Sequence, residues 1–166
     1  MKPMKPYLLL LSLTLFLLPS CGALVPSREE QQRIAAQVDR QLNERHYRIG
    51  IDYMTPLRGG GKVVSGSYSV TVDGAVIDSH LPYVGRAHSI PYGGGKVLTF
   101  KDEIDGYADE GRKRGRRTVI LSTDNGEDVL IYTLSISEDG RADVRVQCRN
   151  RDDISYQGTL EMDRED

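Results

Sequence analysis

Residues 129–148 read Val129-Leu130-Ile131-Tyr132-Thr133-Leu134-Ser135-Ile136-Ser137-Glu138-Asp139-Gly140-Arg141-Ala142-Asp143-Val144-Arg145-Val146-Gln147-Cys148. Leu130, Tyr132, Leu134 and Ile136 recur at every second position, and Ala142, Val144, Val146 and Cys148 resume the same period after Asp139-Gly140. A period of two sends successive side chains to opposite faces of an extended chain. A glycine-bearing break between two such runs is a hairpin signal. The stretch therefore predicts two antiparallel strands sharing one apolar face, with Val144 and Val146 in the core beside Cys148. Val129 and Ile131 add apolar side chains to the other face of the first run. This places the strand over 128–136 at the centre of a sheet, with a helix on its second face.

Outward from this hairpin the same pattern continues in both directions. Ile154, Tyr156, Gly158, Leu160 and Met162 line one face of a last strand. Upstream, Asn125-Gly126 is a second hairpin signal, and Tyr107–Lys113 and Arg117–Thr123 flank Arg114-Gly115-Arg116. Val97, Thr99 and Phe100 form a short strand, as do residues 75–79. Val64, Gly66, Tyr68, Val70 and Val72 precede the turn Asp73-Gly74, and Tyr47, Ile49, Ile51 and Tyr53 open the series. Eight or nine short strands joined by tight turns predict a mainly β fold, a single antiparallel meander curled into a sandwich or a barrel-like half-shell. One N-terminal amphipathic helix precedes it over 27–45. Ser27-Arg28-Glu29-Glu30 is its capping box, and Ile34, Ala35, Val38 and Leu42 make a narrow stripe expected to dock within the same chain. The domain spans 27–164.

The first 26 residues read as an address. Lys2 and Lys5 precede an apolar run over 7–18, shorter than the roughly 20 residues a membrane span requires. Leu18-Pro19-Ser20-Cys21 is similar to a lipobox. The resemblance implies a lipoprotein signal peptide over 1–20, acylation of Cys21 and a lipidated tether over 21–26. Acyl chains each contribute ~0.8 kcal/mol per buried methylene, so the membrane is the expected partner through Cys21. The expected location is the cell envelope, lipid-anchored, on the outer membrane facing the periplasm. Losing Lys2 and Lys5 from 22 basic side chains against 24 acidic ones makes the remaining chain more acidic than the whole chain's −2. That balance gives no reason to expect nucleic acid. With Cys21 acylated, Cys148 has no cysteine partner.

Candidate chemistry centres on residues 81–95, Leu-Pro-Tyr-Val-Gly-Arg-Ala-His-Ser-Ile-Pro-Tyr-Gly-Gly-Gly. Pro82 and Pro91 lack an N–H, so this is a loop and not an interior strand. Tyr83, Arg86, His88 and Tyr92 are the candidate residues of a binding or structural loop. Arg86 either pins loop carbonyls from a buried position or anchors a ligand in a pocket walled by Tyr83 and Tyr92. Asp78, His80 and His88 lack the close ligand pairs of zinc sites, and no metal or other cofactor is expected. His46, just past the helix, is expected to meet the helix dipole. No catalytic constellation emerges: Gly-x-Ser-x-Gly is absent, and Cys148 reads as an inert core thiol. Asp102, Glu103, Asp105, Asp109 and Glu110 read as a solvated charged face. Arg112, Lys113, Arg114, Arg116 and Arg117 form a basic hairpin tip, either a solvated turn or a contact for phosphate-bearing lipid headgroups.

Leu81-Pro82-Tyr83-x-Gly85-Arg86-Ala87 and Pro91-Tyr92-Gly93-Gly94 resemble the central motif of DUF4251, a Bacteroidetes envelope family whose domain has no known function. Pro56-Leu57, Gly59, Tyr68, Phe100, Tyr107 and Asp153-Ile154-Ser155-Tyr156-x-Gly158 fit as well, and His88 stands where an aromatic is usual. The resemblance runs over roughly 30–163. It implies a secreted or lipidated single domain and transfers no catalytic residue. The expected function is a non-enzymatic envelope lipoprotein, a β domain that binds a ligand or a partner. The alternatives are a periplasmic hydrolase-like enzyme and a structural or assembly accessory.

Overall fold

A computed structural model describes residues 26–86 and 98–163. Helix α1 spans Arg28–Glu44. Strands β1 (His46–Pro56), β2 (Lys62–Val63), β3 (Ser69–Asp73), β4 (Val76–His80), β5 (Thr99–Glu103), β6 (Gly106–Lys113), β7 (Arg116–Asp124), β8 (Val129–Ser137), β9 (Arg141–Cys148) and β10 (Ile154–Leu160) follow. Nine of them form one antiparallel path, β5-β4-β3-β1-β10-β9-β8-β7-β6, and β2 pairs with β1. The sheet curls into the expected half-barrel. Its two edges, β5 and β6, are separated in sequence only by Ile104 and Asp105. There the Asp105 N–H donates to Ser122 O (2.9 Å), the Ile104 N–H to Ala75 O (2.8 Å), and Thr123 Oγ1 to Glu103 O (2.8 Å).

The concave face is the core. Leu130, Tyr132, Leu134 and Ile136 of β8 are fully buried, with Ala142, Val144 and Val146 of β9 beside them and Ile154, Tyr156 and Leu160 of β10 beyond. The register follows the sequence period, Leu130 opposite Cys148 and Val144 opposite Tyr156. The other face of β8 is not covered, because Ile131 is 40% exposed. Helix α1 lies instead on the concave side, where Val38 and Leu42 join the same buried cluster. One curled sheet already supplies a concave surface for the helix stripe, so the wet face of β8 needs no cover. Nor is β8 central: β10 is, between β1 and β9.

In β1 the alternation breaks. Tyr47, Ile49 and Ile51 are buried, but Met54 is buried next, and Tyr53 only in part. A bulge between Ile51 and Tyr53 in the β1–β10 register inverts the phase. Residues 64–68, expected in a strand, precede β3, which begins at Ser69. Two turns differ in detail. Arg114 (φ 53°) and Gly115 (φ 77°) make a two-residue hairpin, the left-handed pair that suits strand twist. The Asn125-Gly126 connection runs four residues, held by Asn125 Oδ1 accepting from the Glu127 N–H (3.0 Å) and the Asp128 N–H (2.8 Å).

The helix is tied down at both flanks. Ser27 Oγ accepts from the Glu30 N–H (3.1 Å), while the Glu30 carboxylate pairs with Arg33 and does not reach back. Gln41 is buried and donates to Glu161 O (3.1 Å). On the other flank Arg112 reaches Asp39 (2.7 Å) and Glu138 (2.7 Å), and Arg117 reaches Asn43 (2.6 Å), Asp39 (3.4 Å) and Asp109. These arginines do not belong to a solvated tip; Asp109 is exposed as expected but is paired with Arg117. Asp109 sits opposite Val119 in the register, on the inward side. The Arg117 guanidinium holds its carboxyl below the usual range, and the carboxylate in turn raises the arginine. Arg45 caps the helix in the left-handed region (φ 52°) and lies 4.1 Å over the Tyr107 ring.

Candidate functional site

Strand β4 leaves the sheet at His80, and residues 81–86 cross the end of the half-barrel where β8 and β10 begin. Leu81 is buried and its N–H donates to Leu98 O (3.0 Å). Every polar handle of the nearby core points at this crossing. Tyr132 donates its hydroxyl to Ser79 Oγ (3.0 Å), and Ser79 donates to Leu98 O (3.0 Å). Tyr156 donates to Pro82 O (2.7 Å). Tyr83 donates to Asp152 O (2.9 Å). Asp152, itself buried, accepts the Arg86 N–H on its carboxylate (3.1 Å), and its own N–H donates to Arg86 O (3.0 Å).

Of the groups a proline-bearing loop leaves without ladder partners, Pro82 O is thus satisfied by the Tyr156 phenol, and the Arg86 N–H and O by the Asp152 carboxylate and N–H. Arg86 does not do this with a buried guanidinium, since the residue is exposed. Its backbone is what the loop is fastened by, and Asp152 is the fastener. Asp152 lies in the polar run Arg149-Asn150-Arg151-Asp152-Asp153, which has no periodicity to mark one residue as buried. Tyr83 folds its ring over Gly85, where a Cβ would collide with the phenol. That close approach accounts for the glycine in the motif.

The electrostatics fit a donor-only network. Burial first, then the Cys148 and Asp152 charges, pushes the Tyr83 phenol up to about 12. Burial raises Tyr132 and Tyr156 further still. The Cys148 thiol, half-buried behind the loop, is pushed up to about 12 by burial and by Asp128 and Asp153. At neutral pH all four groups keep their protons, and none is poised as a base or a thiolate nucleophile. Asp128 is buried, accepts from the Asn150 N–H (3.1 Å) and lies 3.8 Å from Arg151.

Of the other candidates, Cys21, His88 and Tyr92 lie outside the described residues. His80 points outward and stacks on Tyr68, centroids 5.4 Å apart. His46 pairs with Asp73 at 3.1 Å. Among the described residues no group of three or more His, Cys, Asp or Glu could hold a metal ion, and no helix is long and apolar enough to cross a membrane. The larger hollows among them are open grooves. One of about 660 Å³ is lined by Pro26, Gln31, Ile34, Gly115, Glu138 and Arg141, and one of about 520 Å³ by residues including Arg116, Asp143 and Gln157.

No curated protein matches the chain. A crystal structure of a DUF4251 family protein from Bacteroides eggerthii DSM 20697 superposes with a TM-score of 0.58 at 15% identity, covering 80% of this chain and 91% of that one. At that identity the likeness concerns the fold alone. The family model for the domain of unknown function DUF4251 matches residues 29–160, helix through last strand. The chain belongs to the DUF4251 family.

Proposed function

We propose that this is a non-enzymatic, lipid-anchored envelope domain that binds a ligand or partner on its outer surface. The carrying observation is how the loop end of the half-barrel is built. Tyr83, Tyr156 and Asp152 are hydrogen-bonded to backbone groups, and Tyr132 to the Ser79 hydroxyl. Such groups brace a surface; they are not left to converge on a substrate. Around that braced end Leu57 (61% exposed), Val63 (79%) and Val84 (43%) present apolar side chains. Isolated exposed aliphatics are ordinary, but Leu57 and Val63 flank the β1–β2 connection and Val84 lies in the 81–86 crossing. Anchoring rests on the lipobox-like Leu18-Pro19-Ser20-Cys21. The outer membrane's periplasmic face remains the proposed location.

The test has two arms. Cys21→Ser is expected to move the protein from the membrane to the soluble fraction, and unchanged membrane association refutes the anchor. Native acylated protein is then captured beside a Leu57→Asp/Val84→Asp variant, and co-purified material is identified by mass spectrometry. A ligand or partner lost in the variant supports the surface reading. Identical recovery from both proteins refutes it.

A further inference from the structure

The helix start, the β6–β7 turn and the β8–β9 turn share one groove, lined by Pro26, Gln31, Gly115, Glu138 and Asp139. The fastened loop and Leu57 lie at the other end of the strands, beside the starts of β8 and β10. From Ala142 to Cys148 the separation is about 20 Å at ~3.3 Å per strand residue. From Cys21 to Pro26 a fully extended chain reaches at most about 18 Å. A domain held at Cys21 therefore keeps the turn end within one short tether of the lipid.

Charge at that end is selective. Arg112, Arg116 and Arg117 are engaged by Asp39, Glu138, Asp143 and Asp109. Glu30 is engaged by Arg33 and Asp139 by Arg141. Arg28, Lys113 and Arg114 are exposed with no ion-pair partner among the described residues, against Glu29 and Glu110. The left-handed pair Arg114-Gly115 puts the two hairpin cations at the tip.

We infer that this end faces the membrane and that Lys113 and Arg114 contact the phosphates of anionic lipid headgroups. The inference rests on the Cys21 anchor and adds an orientation to it: the fastened loop and Val84 then point away from the lipid. Each Lys or Arg near an anionic surface contributes about a fivefold gain in association at moderate salt.

The test uses the acylated full chain reconstituted into vesicles of phosphatidylglycerol or of phosphatidylcholine alone. Flotation reports the anchor. Trypsin cleavage after Lys113 and Arg114, followed by mass spectrometry, reports the tip, with Arg58 and Lys62 at the far end as internal reference. Tip cleavage is expected to slow at least fivefold on phosphatidylglycerol relative to phosphatidylcholine, and 1 M salt to abolish the difference. Cleavage after Arg58 and Lys62 should not change. Arg114→Gln, in an exposed turn, should cut the protection at Lys113 about fivefold. Protein that floats but is cut equally at the tip on both lipids overturns the orientation and leaves the anchor standing. Protection of Arg58 and Lys62 instead reverses the orientation. Protein that does not float overturns both.

Discussion

Gly158→Ala adds a single methyl group at the point where the first strand meets the last. Gly158 sits opposite Ile51 in the register, at the bulge that inverts β1. A Cβ there would overlap the Gly50 carbonyl oxygen and lie 2.9 Å from its carbon and 3.1 Å from Ile51 Cα. These neighbours are backbone, so no rotamer change relieves the overlap. Ordinary carbon contacts of 3.5–4.0 Å require β1 to retreat by roughly 1 Å. Overpacking of a tight site costs about 1–3 kcal/mol, and loosening the ladder bonds on either side adds about 1 kcal/mol each. The expected loss is about 3–5 kcal/mol, a large share of the 5–15 kcal/mol typical of a domain. At about 2–4 °C per kcal/mol the melting temperature should fall by about 10 °C or more. Gly60→Ala is the matched control: nothing lies within 4 Å of a Cβ there and φ is not left-handed. It should be neutral or stabilise by up to about 1 kcal/mol through the unfolded chain. Urea and thermal unfolding of both variants decide the matter. A Gly158→Ala protein melting within about 3 °C of wild type refutes the close approach of β1 and β10.

Three further outcomes follow from the contacts described. Tyr156→Phe removes the donor to Pro82 O and should cost about 1–2 kcal/mol. Amide exchange should quicken in residues 81–86 and not in β8, and uniform protection in the variant argues against the fastening. Asp109 is lowered from 3.8 by Arg117, so its stabilising contribution is full above pH about 4 and lost as pH falls through the depressed folded value. The stability gap between wild type and Asp109→Asn should therefore narrow as pH falls from about 4 toward the depressed folded value; a gap in unfolding titrations that is unchanged from neutral pH down to the acid limit contradicts the pairing. Cys148, pushed up to about 12, should resist iodoacetamide at pH 7.5 while folded and react once unfolded. Rapid labelling of the native protein, read by mass spectrometry, refutes its burial behind the loop.

What was legible in the sequence was whatever repeats locally. Leu130 through Ile136 and Ala142 through Val146 carry a strict period of two, and their burial follows it. Ser27 and the Val38–Leu42 stripe marked the helix in the same way. The bulge at β1 escaped because one inserted residue leaves Tyr53 as plausible an inward residue as Met54, and only the partner strand distinguishes them. Val129 and Ile131 suggested a doubly covered strand, but apolar residues on a wet face are compatible with β propensity alone. The candidate loop was legible as a loop from Pro82 and Pro91, and its described part, residues 81–86, lies outside the strands. Its fastening was not, since Asp152 lies 66 residues from Arg86 and a non-local hydrogen bond has no spacing to read. The same holds for Asp109 and Arg117 with Asp39, which looked like separate runs of surface charge until the helix was laid between them.

The last strand is the middle one. Because β10 lies between β1 and β9, neither flanking strand can complete its ladder until residues 154–160 are available. During synthesis or passage through a narrow pore the chain emerges N-terminus first, so the helix and β1 must wait for the C-terminal segment. The β6–β9 meander can pair early from local turns, whereas the Ile49–Leu160 contact closes a loop of nearly the whole domain and sets the slow step. A polypeptide arranged this way holds partial sheets until the last segment arrives, then closes in one late event. Any truncation before Ile154 leaves two apolar-faced strand edges open at the centre of the sheet, and such a fragment is expected to aggregate and not to persist as a smaller domain.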